Sequence, residues 1–329
     1  MRIRPTSPCR LPGSETPGTL RLVTGLGLFL LVLLAPAARA QDSDLFRTQV
    51  PPNVVLMVDN SGSMNHVVWH PEYDPEVSTS CDCFDEGTVY VRNSYSWSGC
   101  GSGDQYIPPG NYSICGNTRE IFIDPTVQAD GNRTRWSGHY LNWYFSDAAD
   151  GYATDITATD NGTRSGCLTD PSGPNLPATY DRYRRTRTAA AKEVLREVVC
   201  QVNAEGDVRF GLAKFYKSSD PKGGWVSVPV QDYTPAHATD IDWFIEDLEG
   251  ESWTPLAETL YNVYRYLQSR SDPALGSDGV TEFPAYNIKT NGGTSNNASL
   301  IPESPAQLSC QKNFVILITD GEPTRDDFD

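Results

Sequence analysis

Asp59, Ser61 and Ser63 stand at alternate positions in the run Asn-Val-Val-Leu-Met-Val-Asp-Asn-Ser-Gly-Ser that fills residues 53–63. One carboxylate and two hydroxyls on a tight loop suit a small, hard cation, whose preferred ligands are oxygens. Two further oxygen donors occur much later: Thr254, directly before Pro255 and Leu256, and Asp320, within Thr-Asp-Gly at 319–321. Asp59, Ser61, Ser63, Thr254 and Asp320 together leave a position for water or an incoming ligand. Mg²⁺ takes six oxygens in octahedral geometry and keeps some of its waters, so the set predicts Mg²⁺ or Mn²⁺, with Ca²⁺ a poorer fit. Hydroxyl donors do not quench the field of the ion as carboxylates would. It stays electrophilic enough to accept an acidic side chain, Glu or Asp, from a partner.

Such a set works only if the fold brings its members together. Residues 54–58 are apolar and mostly β-branched, between a Pro pair and an Asn-Ser-Gly turn, which predicts a strand buried on both faces. Residues 314–318 form a second fully apolar run, again leading to an Asp. Between them, 184–202 has helical spacing of Ala189, Ala190, Val194, Leu195, Val198, Val199 and Val202. The alternating segments 208–216 and 225–230 predict a hairpin, and 239–248 a helix with Ile241, Phe244, Ile245 and Leu248 on one face. Thr254 is placed as the N-cap of a further helix with Pro255 at its first position and a buried stripe of Leu256, Leu260, Val263, Tyr264 and Leu267. The pattern predicts an α/β fold, a Rossmann-like doubly wound and mostly parallel sheet, whose functional edge lies at the strand C-termini.

The segment from about residue 66 to 180 departs from this pattern, being rich in Gly, Ser, Asn, Asp, Trp and Tyr. It predicts an inserted disulfide-rich lobe with short strands near 88–91 and 120–123, its aromatic residues serving as packing in place of aliphatics. Residues 269–307 predict a long surface excursion.

Ahead of a polar lead-in at 41–52, residues 1–40 have the layout of a signal peptide: Arg-rich start, apolar run at 23–34, and small residues ending at Ala40. The apolar run is too short to span a bilayer, so no transmembrane segment is expected after signal cleavage. Residues 1–40 carry five Arg and one Glu, which moves the formal charge from −16 for the whole chain to −20 for the remainder. So acidic a chain repels phosphate backbones, and nucleic acid is not an expected partner. Seven of the eight Cys follow residue 40 and are read as disulfides of an exported protein, the odd one being free or paired beyond Asp329.

Enzymatic readings fit less well. Asp59 at a strand end resembles the nucleophile of a phosphatase-like hydrolase, but the acid/base Asp expected two residues later is Ser61. Serine hydrolysis lacks a Gly-x-Ser-x-Gly elbow, and His66, His70, His139 and His237 are read as surface residues of loops. The remaining alternative is an exported structural domain in which Asp59, Ser61 and Thr254 only cap and turn.

Asp59-x-Ser61-x-Ser63, the Thr254-Pro-Leu turn and Thr319-Asp320-Gly321 resemble the metal-ion-dependent adhesion site of von Willebrand factor A domains. The stretches beginning at Pro51, Tyr140, Val208, Thr254 and Cys310 resemble the N-terminal part of PilY-type type IV pilus tip adhesins and biogenesis factors. The resemblance implies a von Willebrand factor A domain over 53–329 whose cation is held by Asp59, Ser61, Ser63, Thr254 and Asp320. It also implies partners among pilins or other pilus-tip proteins, and a place from periplasm and outer membrane to the cell surface. The family's domain continues past its last metal ligand, so the resemblance implies that the C-terminal part of the fold is missing here and that the chain is a fragment of a longer one.

Overall fold

The run 53–58 becomes a strand because β-branched and apolar side chains fit a pleated surface covered on both sides. In the computed structural model this strand, β1 (Asn53–Val58), is buried along its whole length. The structure describes residues 50–92, 97–124, 134–149, 159–160, 180–181, 185–205, 208–216, 223–268, 289–290, 293–294 and 305–321. The leader at 1–40 and most of the excursion at 269–307 lie outside the described residues.

After β1 the chain runs through β2 (Val89–Arg92), β3 (Tyr106–Ile107), β4 (Gly110–Ile114), β5 (Asn117–Ile121), β6 (Arg135–Ser137), α1 (Gly138–Tyr144), β7 (Thr159–Asp160) and β8 (Tyr180–Asp181). It continues through α2 (Arg187–Glu205), β9 (Arg209–Phe215), β10 (Gly224–Gln231), α3 (Pro235–Glu246), α4 (Leu256–Leu267), β11 (Lys289–Thr290), β12 (Gly293–Thr294) and β13 (Asn313–Ile318). The main sheet has the order β10-β9-β1-β13, with β9 and β13 parallel to β1 and β10 antiparallel to β9. The parallel strands are in phase: Asn53 is level with Arg209 and Asn313, and Val58 with Lys214 and Ile318. Their C-terminal ends therefore form one rim.

Alternation along β1 divides the core in two. Val54, Leu56 and Val58 pack with Leu195 and Val199 of α2 and Ile241 and Ile245 of α3. Val55 and Met57 point to the other face, toward Val263 and Tyr266 of α4. The result is an α/β architecture with helices on both faces of a mostly parallel sheet.

Several expectations are corrected. Helix α3 starts at Pro235, four residues earlier than expected, because Thr234 caps it by accepting the amide hydrogen of His237 at 3.2 Å. Thr254 is not the cap of α4: Pro255 occupies that place with ψ 73° and no side-chain cap, so the helix begins at Leu256. The stripe of α4 is rotated as well, and Thr259, Asn262, Val263 and Tyr266 are buried. Asn262 Nδ2 donates to Gly224 O, and Tyr266 Oη accepts from Val230 N. Leu260 and Tyr264 are exposed and, with Val315, line an open apolar groove. In α2, Val194 is likewise exposed. Strand β13 is not buried on both faces: it ends the sheet, and Phe314 and Ile316 are each 48% exposed.

The insertion has its own core, built mainly of rings: Trp136, Tyr140, Phe145, Tyr144, Trp143 and Phe84 are all buried. Tyr140 stacks on Trp136 and Trp143, and Trp136 meets Phe122 edge to face. Helix α1, absent from the sequence expectations, is capped by Ser137 and fastened by Asn142, whose amide exchanges two hydrogen bonds with the Phe84 backbone. Gly138 lets it approach closely, since a Cβ there would lie 1.8 Å from Asp85 O. Disulfides Cys81–Cys115 and Cys83–Cys100 close nested loops in this lobe. Among the described residues no cysteine is a free thiol; Cys200 and Cys310 are also disulfide-bonded, and Cys167 lies outside the described residues.

Candidate metal centre

The three parallel strands end at the rim where four of the five candidate donors meet. Asp59 follows β1 directly, its amide donating to Ile318 O at 2.8 Å, which extends the β1–β13 ladder to the carboxylate itself. The chain then turns. Ser61 N donates to Asp59 Oδ1 at 2.7 Å, the short-range carboxylate-to-backbone bond that Asp forms readily in tight turns. This leaves Ser61 Oγ and Ser63 Oγ facing each other at 2.8 Å. Ser63 Oγ donates to Asp320 Oδ1 at 2.9 Å, closing a chain of oxygens that starts on β1 and ends beyond β13.

Thr254 arrives from a different part of the fold. The amides of Glu251 and Ser252 both donate to Asn60 O, at 2.8 and 3.0 Å, and Gly62 N donates to Ser252 O at 3.0 Å. Asn65 Nδ2 donates to Gly250 O at 2.6 Å. The 250–254 turn is thus stitched to the Asp59–Ser63 loop, with Thr254 buried in it.

The electrostatics are those of a carboxylate pair with one member buried and the other, Asp320, half-buried. Asp59 is only 1% exposed. Burial pushes its carboxyl pKa above the ordinary value, hydrogen bonds from Ser61 and Thr319 pull it back in part, and the Asp320 charge adds to the rise. Thr319 Oγ1 donates to Asp59 Oδ2 at 2.6 Å. A divalent cation fits this donor chemistry: two carboxylates and neutral hydroxyl oxygens, all hard, with Ser61, Ser63 and Asp320 linked in series by hydrogen bonds.

Sequence reasoning gave no role to Asn60 or Arg187 and foresaw no bond from Thr319 to Asp59. Asn60, between Asp59 and Ser61, is 1% exposed and acts as a brace. Thr319 holds the second oxygen of Asp59. Arg187, the first residue of α2, reaches Asp320 Oδ2 at 2.5 Å and lies with its guanidinium 5.2 Å from the centre of the Trp69 ring. The histidine expectations also change. His70 and His237 are each 2% exposed. His70 stacks on Trp143, and His237 Nε2 bonds Phe210 O at 2.8 Å. His66 lies on the stem of the lobe, where burial chiefly, with Arg187 and Arg135, pushes its pKa down to about 4.

Comparisons with protein-family models, with curated proteins and with solved structures each return no match. Among the described residues no helix is long and apolar enough to cross a membrane. The disulfides fit an oxidising environment, as for an exported chain.

Proposed function

We propose that this chain is a metal-ion-dependent binding module of the von Willebrand factor A type. We place it in an exported, PilY-type protein at the type IV pilus tip, acting in pilus biogenesis, surface attachment or sensing. The observation that carries the metal reading is the bond from Ser63 Oγ to Asp320 Oδ1, which joins a loop after the first strand to the end of a strand 257 residues later. The pilus assignment rests on the resemblance of the stretches at Pro51, Tyr140, Val208, Thr254 and Cys310.

In this reading Asp59, Ser61, Ser63, Thr254 and Asp320 hold Mg²⁺ or Mn²⁺. When bound, the ion offers an open coordination position to an acidic side chain of a protein or surface ligand. The chain's own part is to fix the oxygens. Asp59 is held by Ser61 N and Thr319 Oγ1, and Ser63 is held between Ser61 and Asp320. A purely structural reading leaves a buried, raised-pKa carboxylate beside a second one without a purpose.

The test is thermal unfolding of the full-length exported protein with Mg²⁺ or Mn²⁺ added. A ligand at one hundred times its dissociation constant stabilises the folded state by about 2.7 kcal/mol. The wild type is expected to gain stability of this order, and Asp59→Ala none. No response of the wild type to either ion overturns the reading.

A further inference from the structure

Arg187 has no counterpart among the five candidate ligands, yet its guanidinium touches one of them. Its Nη1 lies 2.5 Å from Asp320 Oδ2, on the carboxylate oxygen not used by Ser63. The residue is held through both its backbone and its side chain. Its backbone amide donates to His66 O at 2.9 Å, and its guanidinium lies over the Trp69 ring, both on the stem of the inserted lobe. The placement runs against the helix dipole, because a cation at a helix N-terminus meets the positive end and is disfavoured there. The first turn of α2 holds no acidic residue to offset this. From outside the helix, Asp124 Oδ2 accepts the Thr186 amide at 2.5 Å, and Asp320 places a second negative charge against the guanidinium itself.

We infer that Arg187 is the resident counter-cation of Asp320 in the candidate site, so that it weakens divalent-cation binding and leaves the ion-loaded site with a surplus positive charge that an anionic ligand must neutralise. The inference rests on the metal-binding reading above. Asp59, Asp320 and Arg187 together carry a net charge of about −1, which a divalent ion converts to about +1; without Arg187 the same ion would bring the pair to neutrality. Between partly buried charges a few ångströms apart, repulsion of this kind is worth well over a factor of ten in affinity before screening. Arg187 thus sets the order of preference at the site: the ion alone is held weakly, and the ion together with a carboxylate is held well.

The experiment is calorimetric titration of the full-length protein with Mn²⁺ alone, for wild type, Arg187→Gln, Arg187→Met and Arg187→Lys. Arg187→Gln and Arg187→Met are expected to bind Mn²⁺ about ten-fold more tightly or better, and Arg187→Lys, which keeps the charge, close to wild type. Equal or weaker binding by both neutral variants, with wild type still binding, overturns the role of Arg187 and leaves the metal site standing. Absence of binding in wild type and all variants overturns the metal site itself. The side chain is 26% exposed and fills no core position, so the neutral variants are expected to fold, which circular dichroism checks.

Discussion

Asn60 Oδ1 accepts the amide hydrogen of Phe215 at 2.9 Å, tying the residue between two candidate metal ligands to the end of the neighbouring strand. Its carbonyl oxygen meanwhile takes the amides of Glu251 and Ser252. One side chain and one peptide group thus clamp β1, β9 and the Thr254 turn in a fixed relation. Asn60→Ala would leave the buried Phe215 amide unsatisfied, at a cost of about 1–3 kcal/mol. Chemical denaturation should show that loss, and the Mn²⁺ affinity should fall with it, since the loop that carries Ser61 and Ser63 loses its anchor to β9.

Gly250 allows the Thr254 turn to approach. A Cβ there would sit 2.5 Å from Asn65 Oδ1 and 2.8 Å from Ser61 O. Gly250→Ala is expected to destabilise the protein by about 1–3 kcal/mol through overpacking. Because the displaced atoms belong to Ser61, a candidate ligand, and to Asn65 just beyond its loop, the proposed metal site predicts weaker Mn²⁺ binding by calorimetry as well. An unchanged affinity would show that the turn moves independently of the loop.

His66 makes stability sensitive to acid. Its folded pKa is pushed down to about 4 from an ordinary 6.5, so between these values the unfolded chain binds a proton that the folded one does not. Its contribution is full above about pH 6.5 and is lost as pH falls toward about 4. Melting temperatures of wild type and His66→Gln across this range should converge as the pH drops. His237, whose pKa burial also lowers, remains in both proteins and gives them a common residual slope.

The nested disulfides carry the lobe. The Cys81–Cys115 bridge spans 34 residues, a loop for which chain entropy predicts about 3–4 kcal/mol of stabilisation. Replacing both cysteines by Ser should lower the lobe's stability by an amount of this order. Near-ultraviolet circular dichroism reports the loss directly, because the lobe core is built of Trp136, Tyr140 and their neighbours.

The parts of this structure legible in the sequence are those set by local pattern. An uninterrupted apolar, mostly β-branched run marks β1, alternation marks the β9–β10 hairpin, and the Asp-x-Ser-x-Ser loop offers its candidate donors by residue type. Relations that depend on which face a helix presents are not legible in this way. Helical spacing in α4 points to Leu260 and Tyr264, while the buried face includes Asn262 and Thr259, which donate to Gly224 O at the start of β10 and to Pro255 O. Arg187 is hidden among the arginines at 184–187, although a basic cluster at a helix start is a signal that a local anion lies near. Asn60 gives no signal beyond its position, because its partners come from β9 and from the 250–254 turn.

The lobe leaves and returns through two adjacent stems. Val67 is bridged to Thr186 in antiparallel fashion, Val68 N donates to Arg185 O, and Arg187 N donates to His66 O. One stem descends within three residues to Ser63, whose carbonyl takes the His66 amide; the other becomes Arg187. Mechanically the lobe is a handle with both roots set in the rim that carries the candidate metal ligands. Tension applied to it reaches Ser63 and Arg187, which grip the two oxygens of Asp320, before it is shared with the rest of the sheet.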